Sequence, residues 1–332
     1  MTDIFATLGP ACDSPAVLKE MLGAGMTGLR LNLNHGRLSE TMPLLFEVRE
    51  AARFFGTELQ LLIDLQGRSL RVGALPQPVT LTEGEETVLG KDGIPVPLCL
   101  FDPTVAPESF SLCDGRIRLK VLEKRPQAYL CRVVSGGILE SRKGLTVPGF
   151  ETSLPALTEQ DREAIACAKA AGISAVMVPF VTGAEQLIAV REALDAAGCR
   201  EVRIWAKLEN RQGLDSMPEW LRYADMCVIA RGDLGNAFSV EKVPALQKFI
   251  AGACRRSQTP FLVATGLLRS LMHEAQPSRA DISDIYNAVL DGASGLMLTD
   301  ETALGARPVL SVRYLTMGAR AAEQDPAALI FS

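Results

Sequence analysis

The stretch IFATLGPACDS, residues 4–14, separates two architectures. It reads as a short apolar strand that runs at once into a turn, and α/β chains of two kinds open this way. An open, doubly wound sheet would carry a glycine-rich GxGxxG turn here, so that backbone could approach a pyrophosphate. The turn is instead Gly9-Pro10-Ala11-Cys12-Asp13-Ser14, with a single glycine and a proline. Further apolar runs of strand character fall at residues 28–32, 60–65, 175–180, 202–209, 226–231, 260–265 and 295–299, which with 4–8 makes eight. Amphipathic helical stretches follow them. Eight β–α repeats over about 250 residues is the size of a (β/α)8 barrel. The expected class is therefore α/β, a TIM barrel. Its helix boundaries are marked in several places: Ser14-Pro15 predicts an N-cap with proline behind it, and Thr158 with Asp161 a capping box. Gly25, Gly172 and Gly292 stand where helices should stop.

Residues 73–144 have another style. Strand-like stretches at 79–81, 86–89, 110–112, 116–122 and 129–134 are separated by frequent turns. Asp114-Gly115 and Gly136-Gly137 read as hairpin turns. The expected organisation is a barrel of residues 1–72 and 145–332, with residues 73–144 forming a small all-β insertion after the third strand. An insertion there would emerge at the catalytic face and act as a lid.

Composition excludes several functions. Hydrophobic residues make up 48% of the 332, so the chain can bury a large core and disorder is not expected. Net charge is −5 with both signs interspersed and no basic run, which argues against nucleic acid as a partner. Eight cysteines without a CxxC pair, and only two histidines, make a structural zinc site a poor expectation. Those cysteines read as buried small hydrophobes; Cys12, beside the first loop, has a reactive-thiol alternative. His273 reads as a solvated residue, and Trp205 as packing between barrel and helices. No basic-apolar leader and no membrane-length run are visible, so a cytoplasmic protein is expected, with no membrane partner.

A barrel enzyme keeps its chemistry at the C-terminal ends of the strands. Polar groups stand at six of those ends: Arg30 with Asn32, Asn34 and His35, then Asp64 and Arg71, Lys207 with Glu209, Arg231 with Asp233, Thr265, and finally Thr299 to Thr302. A lone Lys-x-Glu or Arg-x-Asp would ordinarily be a surface ion pair. Six polar ends in one barrel point to a site, because buried charges need partners. Side chains alternate along a strand, so Lys207 faces with Glu209, and Arg231 is expected to face with Asp233. Two carboxylates on neighbouring strands, Glu209 and Asp233, suit a hard cation such as Mg²⁺ that keeps its other positions for substrate and water. Lys207, Arg30 and Arg71 supply positive charge for phosphate or carboxylate oxygens, which is most of what phosphoryl transfer requires.

The segments ATLGPA (6–11), GLRLNLNHG (28–36), LPALTEQD (154–161), IWAKLENRQG (204–213), VIARGDLG (228–235) and the long run from Gln276 to Gly305 resemble, in order and spacing, the signature segments of pyruvate kinases. The insertion matches more weakly, through CDGRIRLKV (113–121) and ESRKGLTVPG (140–149). The resemblance implies that Glu209 and Asp233 hold Mg²⁺ or Mn²⁺, and that Lys207 stabilises the phosphoryl group in flight. It implies that Arg30 and Arg71 contact phosphate, and that Thr265 helps protonate the enolpyruvate. Backbone at Gly232 and Asp233 would receive the substrate carboxylate at a helix N-terminus. Asn32, Asn34 and Asp64 would fall at a monovalent-cation site, and Pro10, Asn32 and His35 near the nucleotide. Substrates would be phosphoenolpyruvate and ADP, products pyruvate and ATP, and a homo-oligomer is among the expected assemblies.

The departures from the family pattern qualify this. The chain stops at Ser332, before the region in which the family carries its C-terminal effector domain, so that regulation is expected to be absent. Asn34, Leu65, Gln66 and Ser69 replace the family's Ser, Thr, Lys and acid around the monovalent site, and Arg68 is new there; a guanidinium in place of potassium is the expectation. The stretch Pro179-Phe180-Val181-Thr182 lacks the family's usual Ser and Arg. Asp300, Leu304, Gly266 and Arg269 change the nucleotide side. Two other readings therefore remain open: a metal-dependent enzyme on phosphoenolpyruvate or the pyruvate enolate with another acceptor or a lyase outcome, and a non-catalytic metabolite-binding relative.

Overall fold

The computed structural model of the protein describes residues 1–113, 115–147, 150 and 154–325. The chain divides into two compact units, Met1–Gln66 with Ala156–Ser332, and Gly67–Pro155.

The first unit is a closed parallel barrel. Its strands are β1 (Asp3–Thr7), β2 (Gly28–Asn32), β3 (Gln60–Asp64), β4 (Ala175–Val178), β5 (Arg203–Leu208), β6 (Met226–Ala230), β7 (Phe261–Ala264) and β8 (Gly295–Met297). They pair in sequence order, and β8 returns to β1 through Asp3↔Gly295 and Phe5↔Met297. Each starts within one residue of the sequence expectation and ends up to two residues earlier, where the backbone leaves the ladder to turn over the barrel mouth. Strands buried on both faces read as unbroken apolar runs, and every residue of β6 is buried.

Two cores result. One lies between strands and helices. The other fills the barrel with Phe5, Met177, Trp205, Val228, Leu262 and Met297 among others. Trp205 belongs to this inner core, edge-on to Phe5 at 5.2 Å, and not to the layer under the helices that the sequence suggested. It shares the inward side of β5 with Lys207, two residues on. Phe5 fits because β2 opens with glycine: a Cβ at Gly28 would lie 2.1 Å from its ring.

The helix boundaries follow their sequence signals. Ser14 accepts from the Val17 N–H with Pro15 behind it. Thr158 and Asp161 form a reciprocal capping box, and Gly172 closes that helix in the left-handed region at φ 67. No helix among the described residues is long and apolar enough to cross a membrane.

The second unit lies in sequence between β3 and β4. It holds a five-stranded antiparallel sheet ordered Leu145–Thr146, Ser109–Leu112, Ile117–Arg125, Ala128–Ser135, Glu86–Gly90, and a pair formed by Val79–Leu81 and Gly137–Leu139. Its core gathers Leu89, Leu100, Phe110, Leu119 and Tyr129. Gly136-Gly137 is not a hairpin turn; it carries the chain from the larger sheet into the two-stranded one. A Cβ at Gly136 would meet the Leu81 carbonyl at 2.3 Å, so the glycine serves this close crossing. The other expected turn falls on residue 114, outside the described residues.

Candidate active site

Four charged side chains meet where β2, β3 and β5 end. Arg30 donates from Nε (3.1 Å) and Nη2 (2.5 Å) to Asp64 Oδ2, and from Nη1 to Thr7 Oγ1 (3.0 Å). Lys207 Nζ lies 3.3 Å from Asp64 Oδ2 and 2.9 Å from Glu209 Oε1. Glu209, just past the end of β5, accepts at Oε2 from the Phe180 N–H (2.6 Å). The side chains of Asp64 and Glu209 are almost wholly buried, and that of Lys207 is 14% exposed. Asp64 Oδ1 and Glu209 Oε1 are buried without a hydrogen-bond partner; the contact of Glu209 Oε1 with Lys207 is an ion pair lacking hydrogen-bond angles.

Burial by itself would raise the Asp64 carboxyl, but the charges of Lys207 and then Arg30 overcome it and hold the group below the usual carboxylate range. For Lys207 burial favours the neutral amine. The carboxylates of Asp64 and Glu209 outweigh burial and the Arg30 charge, so the ammonium is raised above its ordinary value. Asp64 and Lys207 are both ionised at neutral pH, and in the network of four the two basic side chains face two carboxyl groups.

Thr265 follows β7 with φ 72, in the left-handed region. That conformation is rare for a β-branched residue and costs about 1–3 kcal/mol. Its Oγ1 donates to the Ala264 carbonyl (2.5 Å) and accepts from the Gly232 N–H (2.8 Å). Gly232 and Asp233 lie in the first turn of the helix Arg231–Phe238, which begins directly at the end of β6. The expected strand alternation of Arg231 with Asp233 therefore does not occur. The backbone is already helical at Arg231, and its side chain turns toward Asp284 instead, pairing at 2.6 and 2.7 Å. Arg231 was legible only as a member of the ARGD run; its partner stands 53 residues on, with nothing in the sequence to link them.

At the end of β2, Asn32 Oδ1 accepts from both the N–H (3.1 Å) and the side-chain amide (3.0 Å) of Asn34 in the loop that follows. His35 is exposed. Two glutamines not assigned a role in the sequence brace this loop. The Gln66 amide donates to the Leu33 carbonyl (3.1 Å), and that of Gln160 to the carbonyls of Leu33 (2.7 Å) and Gly36 (3.1 Å). Leu65 is buried and offers no side-chain oxygen. The turn carrying Pro10 backs onto the helix Asp300–Ala303, with the Ala11 N–H on the Ala303 carbonyl (3.0 Å). Leu304 beside it is 58% exposed, and a Cβ at Gly266 would meet nothing within 4 Å. Arg71 belongs to the second unit, where Nη1 donates to the Arg142 carbonyl (2.8 Å).

Cys12 is buried against the Thr7 carbonyl, and burial pushes its thiol up to about 11, which leaves no reactive thiolate near neutrality. Among the described residues, no three of His, Cys, Asp and Glu gather as a ready-made metal cage.

A closed (β/α)8 barrel with its charged network at the C-terminal strand ends is the architecture of a TIM-barrel enzyme. Residues 1–312 match the family model described as pyruvate kinase, barrel domain. The pyruvate kinase of Aeropyrum pernix is 36% identical over 315 residues, covering 94% of this chain and 69% of that protein. That of Geobacillus stearothermophilus is 34% identical over 334 residues, covering 97% and 57%, and that of Thermococcus litoralis 34% over 340 residues, covering 100% and 71%. The chain belongs to the pyruvate kinase family, and it spans between 57% and 71% of the length of these relatives.

Proposed function

We propose that this chain transfers the phosphoryl group of phosphoenolpyruvate to ADP, forming pyruvate and ATP, with Mg²⁺ or Mn²⁺ as cofactor. The observation that carries this reading is Lys207: a buried ammonium at a strand end, kept charged between Asp64 and Glu209.

The residues fit a hard cation. Glu209 Oε1 is a buried carboxylate oxygen without a hydrogen-bond donor, and Asp233 comes from the next strand end. Glu209 and Asp233 would hold the ion, which when bound neutralises charge on the phosphoryl and enolate oxygens. Lys207 offers a fixed positive charge to the phosphoryl as the P–O bond to the enolpyruvate oxygen breaks and a terminal oxygen of ADP takes its place. Arg30 spends three of its five N–H groups on Asp64 and Thr7, which keeps the guanidinium in place and leaves two for phosphate oxygens. The start of the helix Arg231–Phe238 suits the substrate carboxylate, although the Gly232 N–H itself is taken by Thr265 Oγ1. Thr265, whose hydroxyl accepts from that N–H, would pass a proton to the methylene carbon of the enolate. The roles of Arg71 in phosphate binding and of Pro10, Asn32 and His35 at the nucleotide rest on the sequence resemblance.

Leu304 favours a second reading in which the same donor chemistry serves another acceptor. An exposed apolar side chain beside the Pro10 turn is a poor neighbour for a diphosphate. One experiment separates the two. Purified protein is given phosphoenolpyruvate and Mg²⁺, with and without ADP and other nucleoside diphosphates, and pyruvate is followed. Diphosphate-dependent release supports the first reading. Binding of phosphoenolpyruvate without such release refutes it in favour of the second.

A further inference from the structure

We propose that the Arg231–Asp284 pair is a strut that positions Thr265 without touching substrate. The inference rests on the reading that Thr265 works at the enolate carbon.

All five N–H groups of Arg231 are spoken for. Nε (3.1 Å) and Nη2 (2.8 Å) both donate to the Thr265 carbonyl. Nη1 donates to Asp284 Oδ1 (2.6 Å) and Gln247 Oε1 (3.3 Å), and Nη2 also to Asp284 Oδ2 (2.7 Å). A guanidinium with every donor used has none left for a phosphate, although it stands at a strand end among residues that read as substrate ligands. Its side chain is 12% exposed, and its anchors come from two different helices, Val243–Ser257 and Arg279–Leu290. Gln247 is itself anchored: its amide donates to Asp291 Oδ2 (2.9 Å), whose other oxygen accepts from Lys248 (2.8 Å).

The load this framework carries is the Thr265 peptide. A threonine at φ 72 relaxes to an extended or right-handed conformation unless something opposes it. The two N–H donors on its carbonyl oppose rotation of the following peptide. The Gly232 N–H on its Oγ1 fixes the hydroxyl from the other side. Gly232 is the neighbour of Arg231, so one stretch of chain clamps both ends of the same residue. Released from the strut, the hydroxyl swings away from the Gly232 N–H, while Lys207 and Glu209, two strands further round the barrel from Thr265, are untouched. The defect belongs to carbon protonation more than to phosphoryl binding.

The test uses Asp284→Asn and Arg231→Lys in the full chain, with Thr265→Val as reference, each checked by thermal melting. Loss of pyruvate methyl protons into D₂O, with Mg²⁺ and ATP present, reads the carbon step directly by NMR. Asp284→Asn is expected to slow exchange by about 10- to 100-fold, the effect of displacing a catalytic group by an ångström or so. Its KM for phosphoenolpyruvate should move less than about threefold, and Thr265→Val/Asp284→Asn should be no slower than Thr265→Val alone. Arg231→Lys, whose ammonium lacks the planar fork that grips the Thr265 carbonyl and the Asp284 carboxylate with two bonds each, should behave alike and stands in if Asp284→Asn does not fold. Wild-type exchange in the strut variants beside a slow Thr265→Val overturns the strut alone, as does additivity in the double variant. Wild-type exchange in Thr265→Val overturns the reading of Thr265 and the strut's purpose with it.

Discussion

Replacing Lys207 by methionine keeps the stem of the side chain and removes its charge. In the wild type, Nζ stands 3.3 Å from Asp64 and 2.9 Å from Glu209. Two effects should follow, and they have different sizes. A preorganised donor at a developing charge is worth about 10²–10³ in kcat, and a full ammonium in a buried site belongs at the upper end. We expect a fall of about 10³, or about 4 kcal/mol of transition-state stabilisation, with little change in KM for phosphoenolpyruvate. Breaking a buried ion pair from one side costs about 3–5 kcal/mol of stability. Here Asp64 keeps Arg30 and Glu209 keeps the Phe180 N–H, so the lower end, about 3 kcal/mol, is the better figure. At roughly 2–4 °C per kcal/mol this lowers the melting temperature by about 6–12 °C, and the variant still folds. Pyruvate release at saturating ADP and Mg²⁺ gives the first quantity, and a circular dichroism melt gives the second. A variant within about tenfold of wild-type turnover and with an unshifted melt would refute both the catalytic charge and the buried network.

The same pair predicts how stability depends on pH. Asp64 is held below its ordinary value, so its contribution is present above that value and lost as pH falls through the lowered one; Lys207 is raised, so its contribution is full below its ordinary value and lost as pH rises through the raised one. The difference in urea midpoint between wild type and Lys207→Met should be level from about pH 5 to 9 and shrink outside that window, whereas a difference independent of pH would contradict the ion pair. Arg30 and Lys207 already neutralise Asp64, and Leu65 offers no oxygen, so titration with potassium should change turnover less than about twofold; strong stimulation would show that a cation is still needed. Gly28→Ala would place a Cβ 2.1 Å from the Phe5 ring, which is fully buried against Trp205. A loss of about 3 kcal/mol in urea unfolding is expected, partly restored by a smaller residue at position 5.

Much of the barrel could be read from the sequence because its strands are buried on both faces and appear as apolar runs. Met226–Ala230 and Phe261–Ala264 are examples, buried throughout. The capping box at Thr158 and the stop at Gly172 were equally plain, since a cap is made by residues close together in the chain. Lys207 and Glu209 were legible as a pair because they are two residues apart where β5 ends. The same period-two argument failed at Arg231, because the helix starts there and helical backbone sends residues i and i+2 to different sides.

What the sequence determined by itself was local: which runs make strands, where helices begin, and which polar residues stand at the strand ends. Tertiary structure decided which of those polar groups meet. Asp64 and Lys207 are 143 residues apart, and they face each other only because ring closure brings β3 and β5 to either side of β4. It also decided that Trp205 fills the barrel, that Thr265 is held in a strained conformation, and that Arg231 serves Thr265 instead of a ligand. Each of these depends on the direction in which a side chain leaves its strand and on what a distant segment puts in its way. Spacing along the chain carries no record of either, because burial and charge pairing act through space once the ring has closed.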